Sequence, residues 1–231
     1  MLSMYNILKQ LSLFQGITTD HLTRILEVTP FDFRNYNEGE VVSQSGTTLD
    51  SLISVISGRV SVTSTVCGRV SVIQTYEAPY TLPFHHLYGA DTSATATVIA
   101  DADKTGIMVM HKRDFRRILH ENEVAMINAL NILCTKAQRE SHTADFCLET
   151  EPVLRLARWL QTFADRYAKE TVFDATETAW TEVLQLDAAS FWRSVAMLEG
   201  TRAIECVSGR IKLTDRYYLQ SYIATKTAQK K

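Results

Sequence analysis

The chain has 231 residues and only four cysteines, and no two of these stand in a CxxC spacing. Zinc and iron–sulfur sites draw on such spacings, so neither is expected, and Cys67, Cys134, Cys147 and Cys206 are read as reduced thiols. Long apolar runs are missing too. Its most apolar helical stretch, Val124 to Thr135, holds twelve uncharged residues, too few to cross a bilayer. The N-terminus, MLSMYNILKQLSLFQG, lacks a basic segment followed by an unbroken apolar run. No signal peptide and no membrane partner are expected, and the cytoplasm is the expected compartment. There is no GxSxG elbow, HExxH or P-loop. Hydrolytic chemistry thus finds no support, catalytic and metal-binding residues are read as none, and the chain is read as not an enzyme.

A strong net charge of one sign is also absent, the total being −2. It conceals an asymmetry. Residues 1–110 carry 6 Lys and Arg against 10 Asp and Glu, whereas residues from Thr178 onward carry 8 against 5. A mildly basic C-terminal end leans toward a nucleic-acid partner. Hydrophobic content of 45% with 22% charged residues is that of a globular protein able to bury a sizeable core.

The stretch that organises the rest runs from Lys112 to His142. It has no Gly or Pro and is rich in helix formers, so one long helix is predicted. Phe115, Leu119, Met126, Ile127, Leu130, Leu133, Cys134 and Ala137 recur at three- and four-residue steps. The apolar face is broader than a simple surface stripe, which suits packing against two things at once, its own domain and a second copy of itself, or else an internal helix of a single larger core.

Before this helix the period changes. Residues 4–29 read as helices, with a stop at Gly16 and an end at Pro30. From Phe31 short runs of Val, Ile, Ser and Thr follow, punctuated by Gly39, Gly46, Gly58 and Gly68. Such regular short strands indicate an antiparallel sandwich or barrel. GRVSV occurs at 58–62 and again at 68–72, which reads as two similar strands of one hairpin. Pro79 and Pro83 bracket an irregular segment, and 93–101 and 104–110 supply two more strands.

After the long helix the pattern breaks around Asp145–Glu151. Pro152 then opens a clean amphipathic helix. A short helix near Ala179–Leu184, a turn at Gln185–Asp187 and a second helix capped by Asp187 follow. Two short strands near Ala203–Val207 and Arg210–Thr214 are joined by Ser208–Gly209. Helix, turn, helix, hairpin is the outline of a winged helix-turn-helix.

These segments, in this order, resemble the cyclic-AMP receptor protein/FNR family of bacterial transcription regulators. LFQGITTDHLTRIL at 13–26 is similar to its N-terminal helices. YNEGEVVSQSG at 36–46 is similar to its Tyr-x-x-Gly-Glu strand and turn, and DSLISVISGRVSV at 50–62 to its next strand pair. The resemblance implies an α+β fold in three parts. An effector-sensing β-roll like a cyclic nucleotide-binding domain would occupy 1–111, a dimerisation helix 112–144, and a winged helix-turn-helix DNA-binding domain 150–231. It implies a homodimer on double-stranded promoter DNA, with RNA polymerase as a further partner.

Two departures qualify what is carried over. Nucleotide-binding members hold the ribose with a Glu and the cyclic phosphate with an Arg that precedes Ser/Thr-Ala. Here ATATVIA at 94–100 corresponds best to that run, so Ala94 stands where the Arg would be, Thr95 where the Ser is, and His85 near the Glu. A methyl group neither neutralises a phosphate nor offers a bidentate fork. No cofactor and no cyclic AMP binding are expected, and an unknown small-molecule effector stays open. In the second helix of the helix-turn-helix, Gln185 replaces the family's Gly and Ala188 its first Arg, while Arg193 matches the later Arg.

Two groups of residues are candidates for binding. For the effector pocket they are His85, His86, Thr95, Asn128 and Asn131. The two asparagines belong to a polar stripe with Thr135, Gln138 and His142, which either faces the pocket or is a solvated or register-setting face. For DNA they are Ser190, Trp192 and Arg193 on the second helix, with Arg202, Arg210 and Lys212 near the hairpin for phosphates. Two other functions stay open: a sensor or protein-interaction module whose winged helix no longer binds DNA, and a haem-based sensor using the histidines.

Overall fold

The computed structural model describes residues 4–141 and 149–229. They divide into two compact units. The first runs through Val62 and resumes at Tyr76–Lys136; the second joins Thr63–Thr75 to the chain from Ala137 onward. Expected positions that fall in 142–148, His142 and Cys147 among them, lie outside the described residues.

The first unit begins with α1 (Met4–Gln10), a 3-10 turn (Ser12–Phe14) and α2 (Thr19–Val28). Strands β1 (Asp32–Tyr36), β2 (Val41–Ser43) and β3 (Ser51–Ser57) follow, then the hairpin of β4 (Arg59–Val66) and β5 (Val70–Glu77), and after it β6 (Tyr80–Thr81), β7 (Ala96–Ala100) and β8 (Thr105–His111). One antiparallel sheet has the order β1-β8-β3-β6, while β2 pairs with β7, which neighbours β4. The duplicated GRVSV thus forms two arms of one hairpin, closed at Cys67 and Gly68, both at positive φ. Gly58 is required where it stands: a Cβ there would lie 2.9 Å from the Thr105 backbone. The core joins Leu8, Leu11, Leu13 and Phe14 to Leu52, Met108 and Met110 of the sheet. Strand β1 is exposed along most of its length, Phe33 included, so its alternating sequence does not mark a core face.

The predicted long helix is two helices. Asn122 divides α3 (Lys112–Glu121) from α4 (Glu123–Ser141). Its φ of −135° and ψ of 105° leave the helical region, and its N–H closes the last turn of α3 on the Ile118 carbonyl. Its side-chain Oδ1 then accepts from Ala125 N at 3.0 Å, an N-cap for α4. One asparagine ends one helix and starts the next, which the uninterrupted composition conceals.

The second unit contains α5 (Pro152–Phe163), β9 (Glu170–Asp174), α6 (Glu177–Leu184), α7 (Ala188–Gly200), the hairpin β10 (Ile204–Val207) and β11 (Arg210–Leu213), and α8 (Arg216–Gln229). Its strands run β10-β11-β9-β5. Strand β9 takes up β5 in antiparallel register from Ser71↔Asp174 to Thr75↔Glu170. Val70 and Val72 are accordingly buried with Trp159, Phe173, Trp180 and Phe191 in one core. Arg69 pairs with Glu182 at 2.6 Å, and the Gln74 amide donates to the Phe163 carbonyl. The tip of the β4–β5 hairpin is therefore built into the C-terminal unit. Nothing in the linear sequence assigns it there, and the sequence reading does not identify β9 or α8.

Among the described residues, no helix is long and apolar enough to cross a membrane.

Candidate functional site

The segment that should hold an effector lies between β6 and β7. Leu82, Phe84 and Leu87 turn inward and are buried. The Phe84 ring meets Phe115 of α3 edge-on at 5.5 Å, and Tyr88 stacks on the same ring. The Tyr88 hydroxyl donates to the Lys112 carbonyl at 2.6 Å. Burial pushes its pKa above the usual phenol value, against a smaller opposing pull from Arg116. Aromatic and aliphatic side chains thus fasten this segment to α3.

Within it, His85 and His86 stand together, their rings 4.4 Å apart and tilted by 57°. The His86 Nδ1 lies 3.3 Å from the Asp91 carbonyl. Thr95 is exposed. Ala94 is buried, and both its backbone groups are used: its N–H donates to the Thr47 carbonyl and its carbonyl accepts from Gly46, each at 2.8 Å. Its backbone is thus fixed to the 46–47 turn, and its side chain is a single buried methyl group.

On α4 the two asparagines part company. The Asn128 amide donates to the carbonyls of Leu13 and Gln15, at 3.1 and 2.8 Å. It satisfies backbone acceptors left over by the N-terminal helical segment, a structural clamp. Asn131 is exposed. Of the five effector candidates, the two histidines lie against each other, and Asn128 is turned to the N-terminal segment. A cleft of about 610 Å³ opens elsewhere in the first unit, lined by Ile7, Gln10, Ile56, Arg59, Glu77 and Pro79 among others. None of the five lines it, and Arg59 there is bound to Asp101 at 2.7 Å. Among the described residues, no three His, Cys, Asp or Glu side chains gather as a metal site would need.

The rest of α4 is notable for what it leaves open. Ala125 and Ala129 are buried, whereas Val124, Met126, Ile127 and Leu130 are 40–48% exposed. Asn131 and Cys134 continue this face, and no charge interrupts it between Glu123 and Lys136.

The second candidate region is the pair of helices α6 and α7 in the second unit, with the short turn that joins them. Thr176 caps α6 through Ala179 N, so the helix starts two residues earlier than the sequence suggests. Gln185 ends it in the left-handed region, at φ 52° and ψ 50°. This conformation favours glycine. Here it is held from outside: Arg155 donates to the carbonyls of Leu184 and Gln185 at 2.9 and 3.1 Å. Asp187 caps α7, accepting from Ser190 N at 2.9 Å and from Ser190 Oγ at 2.7 Å. These bonds, the side-chain one first, hold the Asp187 carboxyl below its usual pKa.

Helix α7 buries Phe191, Ser194, Val195 and Leu198 and exposes Ala188, Ala189, Trp192, Arg193, Ala196 and Met197. Two of the expected readers are already engaged. The Ser190 hydroxyl serves the cap, and the Trp192 indole N–H donates to Glu177 of α6 at 2.5 Å. Arg193 is exposed and, among the described residues, has no ion-pair partner; so is Arg202, at φ 60°. The β10–β11 hairpin turns through Ser208 and Gly209, both at positive φ, as the Ser-Gly signal requires. Its cations are paired. Arg210 meets Asp174 at 2.7 Å and Lys212 meets Glu170 at 2.6 Å, both carboxylates on β9, and each partner raises the pKa of its cation. In the sequence both cations are candidates for phosphate contact or solvated surface charges. Sequence reasoning missed these carboxylates because it missed β9.

A family model described as "Cyclic nucleotide-binding domain" matches residues 33–122. Among solved structures, the chain is similar to the Thermus thermophilus catabolite activator protein at 15% identity and a TM-score of 0.53, over 93% of this chain and 99% of that one. It is also similar to CprK complexed with OCPA, at 12% identity and a TM-score of 0.51, over 87% and 92% of the two chains. No curated protein sequence matches the chain. The resemblance read from the ordered motifs is thereby borne out: an N-terminal sheet domain of the cyclic nucleotide-binding fold followed by C-terminal helices, α+β throughout.

Proposed function

We propose that this chain is a homodimeric transcription regulator of the cyclic-AMP receptor protein/FNR kind. Helix α7 enters the major groove of promoter DNA, and α4 packs against its counterpart in a second copy. The observation that carries the reading is the solvent face of α7. It follows a tight turn in a helix-turn-helix and presents Arg193 without a carboxylate partner among the described residues. An unpaired guanidinium on such a helix suits the acceptor edge of a guanine. A catabolite activator protein and a complexed CprK share the fold, which supports this reading. The site of action is then the cytoplasm, where RNA polymerase is the further partner at a promoter.

The effector is a small molecule other than a cyclic nucleotide. Ala94 offers no cation to a cyclic phosphate, and a buried phosphate without a charged partner is costly. Calorimetry with cyclic AMP is expected to give no heat of binding at micromolar concentrations. A low-micromolar dissociation constant would place the phosphate on some other cation and refute this part.

The test of the main reading is retention of the whole chain on short duplexes across a salt series. Binding at low salt that falls steeply as salt rises is expected, because phosphate contacts release counterions. A second reading rests on Trp192 and Met197, 40% and 50% exposed, and on the paired cations of the hairpin. These features suit a protein partner. Absence of retention on any duplex at low salt would favour it.

A further inference from the structure

The reading that α7 lies in a major groove leaves open what it reads there, and the following step rests on that reading. The polar side chains expected to do the work are committed elsewhere. The Ser190 hydroxyl donates a hydrogen bond to Asp187, and the Trp192 indole N–H donates one to Glu177. The exposed surface of α7 is then three alanine methyls, at 188, 189 and 196, the Met197 thioether, the Trp192 ring and one guanidinium. We infer that α7 reads DNA chiefly through thymine methyl groups, with Arg193 selecting one guanine among them.

The major groove presents donors and acceptors at every base pair, and the thymine methyl is its apolar feature. An alanine methyl pressed on the edge of adenine, cytosine or guanine strips water from polar atoms and returns no hydrogen bond. Pressed on a thymine methyl, it buries apolar surface on both sides. Arg193 cannot be satisfied this way and needs the paired acceptors of a guanine. Its charge also suits the negative field of the duplex, which an apolar protein groove would not offer.

Spacing limits where the thymines fall. At about 1.5 Å rise per residue, Ala189 lies roughly 6 Å along the helix from Arg193, and Ala196 roughly 4.5 Å beyond it. With base pairs stacked about 3.4 Å apart, those distances correspond to roughly one or two base steps. Each half-site should therefore hold a guanine with thymine methyls within about two base pairs on both sides.

The test uses the full chain and a pool of random duplexes. The best binders are selected and resynthesised with deoxyuridine in place of thymidine, which removes the methyl and keeps every hydrogen-bonding group. Loss of a contacted methyl is expected to weaken binding about fourfold, the equivalent of one buried methylene. Scrambled duplexes of equal deoxyuridine content should be unaffected. Ala189→Ser, an exposed change that leaves the core alone, should reduce the discrimination between thymidine and deoxyuridine duplexes. If the selected duplex beats the scrambled one yet binds equally with deoxyuridine, methyl readout is wrong while DNA binding stands. If no duplex binds at low salt, the DNA reading falls and takes this inference with it.

Discussion

Helix α4 and helix α7 both leave large apolar side chains in water. On α4 these are Val124, Met126, Ile127 and Leu130, with no charge between Glu123 and Lys136. On α7 they are Trp192 and Met197, with the exposed Arg193 next in sequence to Trp192 and the indole N–H tied to Glu177. A largely apolar face without a charge loses little when covered by an identical face, so it suits a two-fold contact between copies. A face holding one guanidinium pays for apolar cover with a buried unpaired charge, so it suits a partner rich in acceptors. Equal exposure thus implies different partners, and the placement of a single charge decides between them.

The strongest way to break the contrast is to put a charge on α4. Leu130→Glu would set a carboxylate in the proposed seam, where a buried unpaired charge costs about 3–5 kcal/mol. Sedimentation velocity should show a dimer for the parent chain and a monomer for the variant. Circular dichroism should stay unchanged, because Leu130 is already 48% exposed in a single chain. A parent chain that sediments as a monomer at micromolar concentration would overturn the assignment of α4.

Removing the charge from α7 is the complementary change. Arg193→Ala should leave the dimer intact and cost about 1–3 kcal/mol on a selected duplex, the worth of a good bidentate base contact. On a scrambled duplex the loss should be smaller, since only a general phosphate attraction is affected. Fluorescence anisotropy on both duplexes measures the difference. Equal losses would mean that Arg193 meets phosphate and reads no base.

The two helices also differ in what supports them. Helix α4 packs through Ala125 and Ala129 on nearby elements of the first unit, whereas α7 shares its core with Val70 and Val72 of β5. Val72→Ala removes two methyl groups from that core, worth about 1.6 kcal/mol by area before any cavity term. All three tryptophans (Trp159, Trp180 and Trp192) lie in the second unit, so their fluorescence reports on it alone. Its urea midpoint should fall in Val72→Ala and move less in Val55→Ala, an equally buried site in the first unit. The opposite order would mean that the hairpin tip contributes little to the second unit.

What could be read from the sequence and what could not separate along the same lines. The uncharged run on α4, the Asp187 cap and the Ser208–Gly209 turn are local signals, written within a few adjacent residues, and each is found where expected. The features that were missed depend on distant partners. Strand β9 is five residues long and becomes a strand by pairing with β5 and β11. Asn128 reads in sequence either as a pocket residue or as part of a solvated or register-setting face, because its acceptors, Leu13 and Gln15, lie 115 and 113 residues away. Asn122 is the instructive exception. Its capping role is local, but the helix-forming composition around it hid the break.

The smallest change sharpens the comparison most finely, because it concerns charges that look available in the sequence and are taken in the structure. Lys212 holds Glu170 at 2.6 Å, with both side chains 44–45% exposed. As an exposed pair it contributes about 0–1 kcal/mol to stability. Beside DNA the carboxylate has a second effect: it cancels the lysine charge and repels phosphate. Glu170→Gln keeps the side-chain length and an acceptor for the lysine but removes the negative charge. Stability should change by no more than about 1 kcal/mol. Affinity for every duplex should rise together, and the salt dependence should steepen by about one counterion. The preference between selected and scrambled duplexes should not move, in contrast to Arg193→Ala. An unchanged salt slope would mean that the β10–β11 hairpin stands away from the phosphates and that α7 meets the duplex without it.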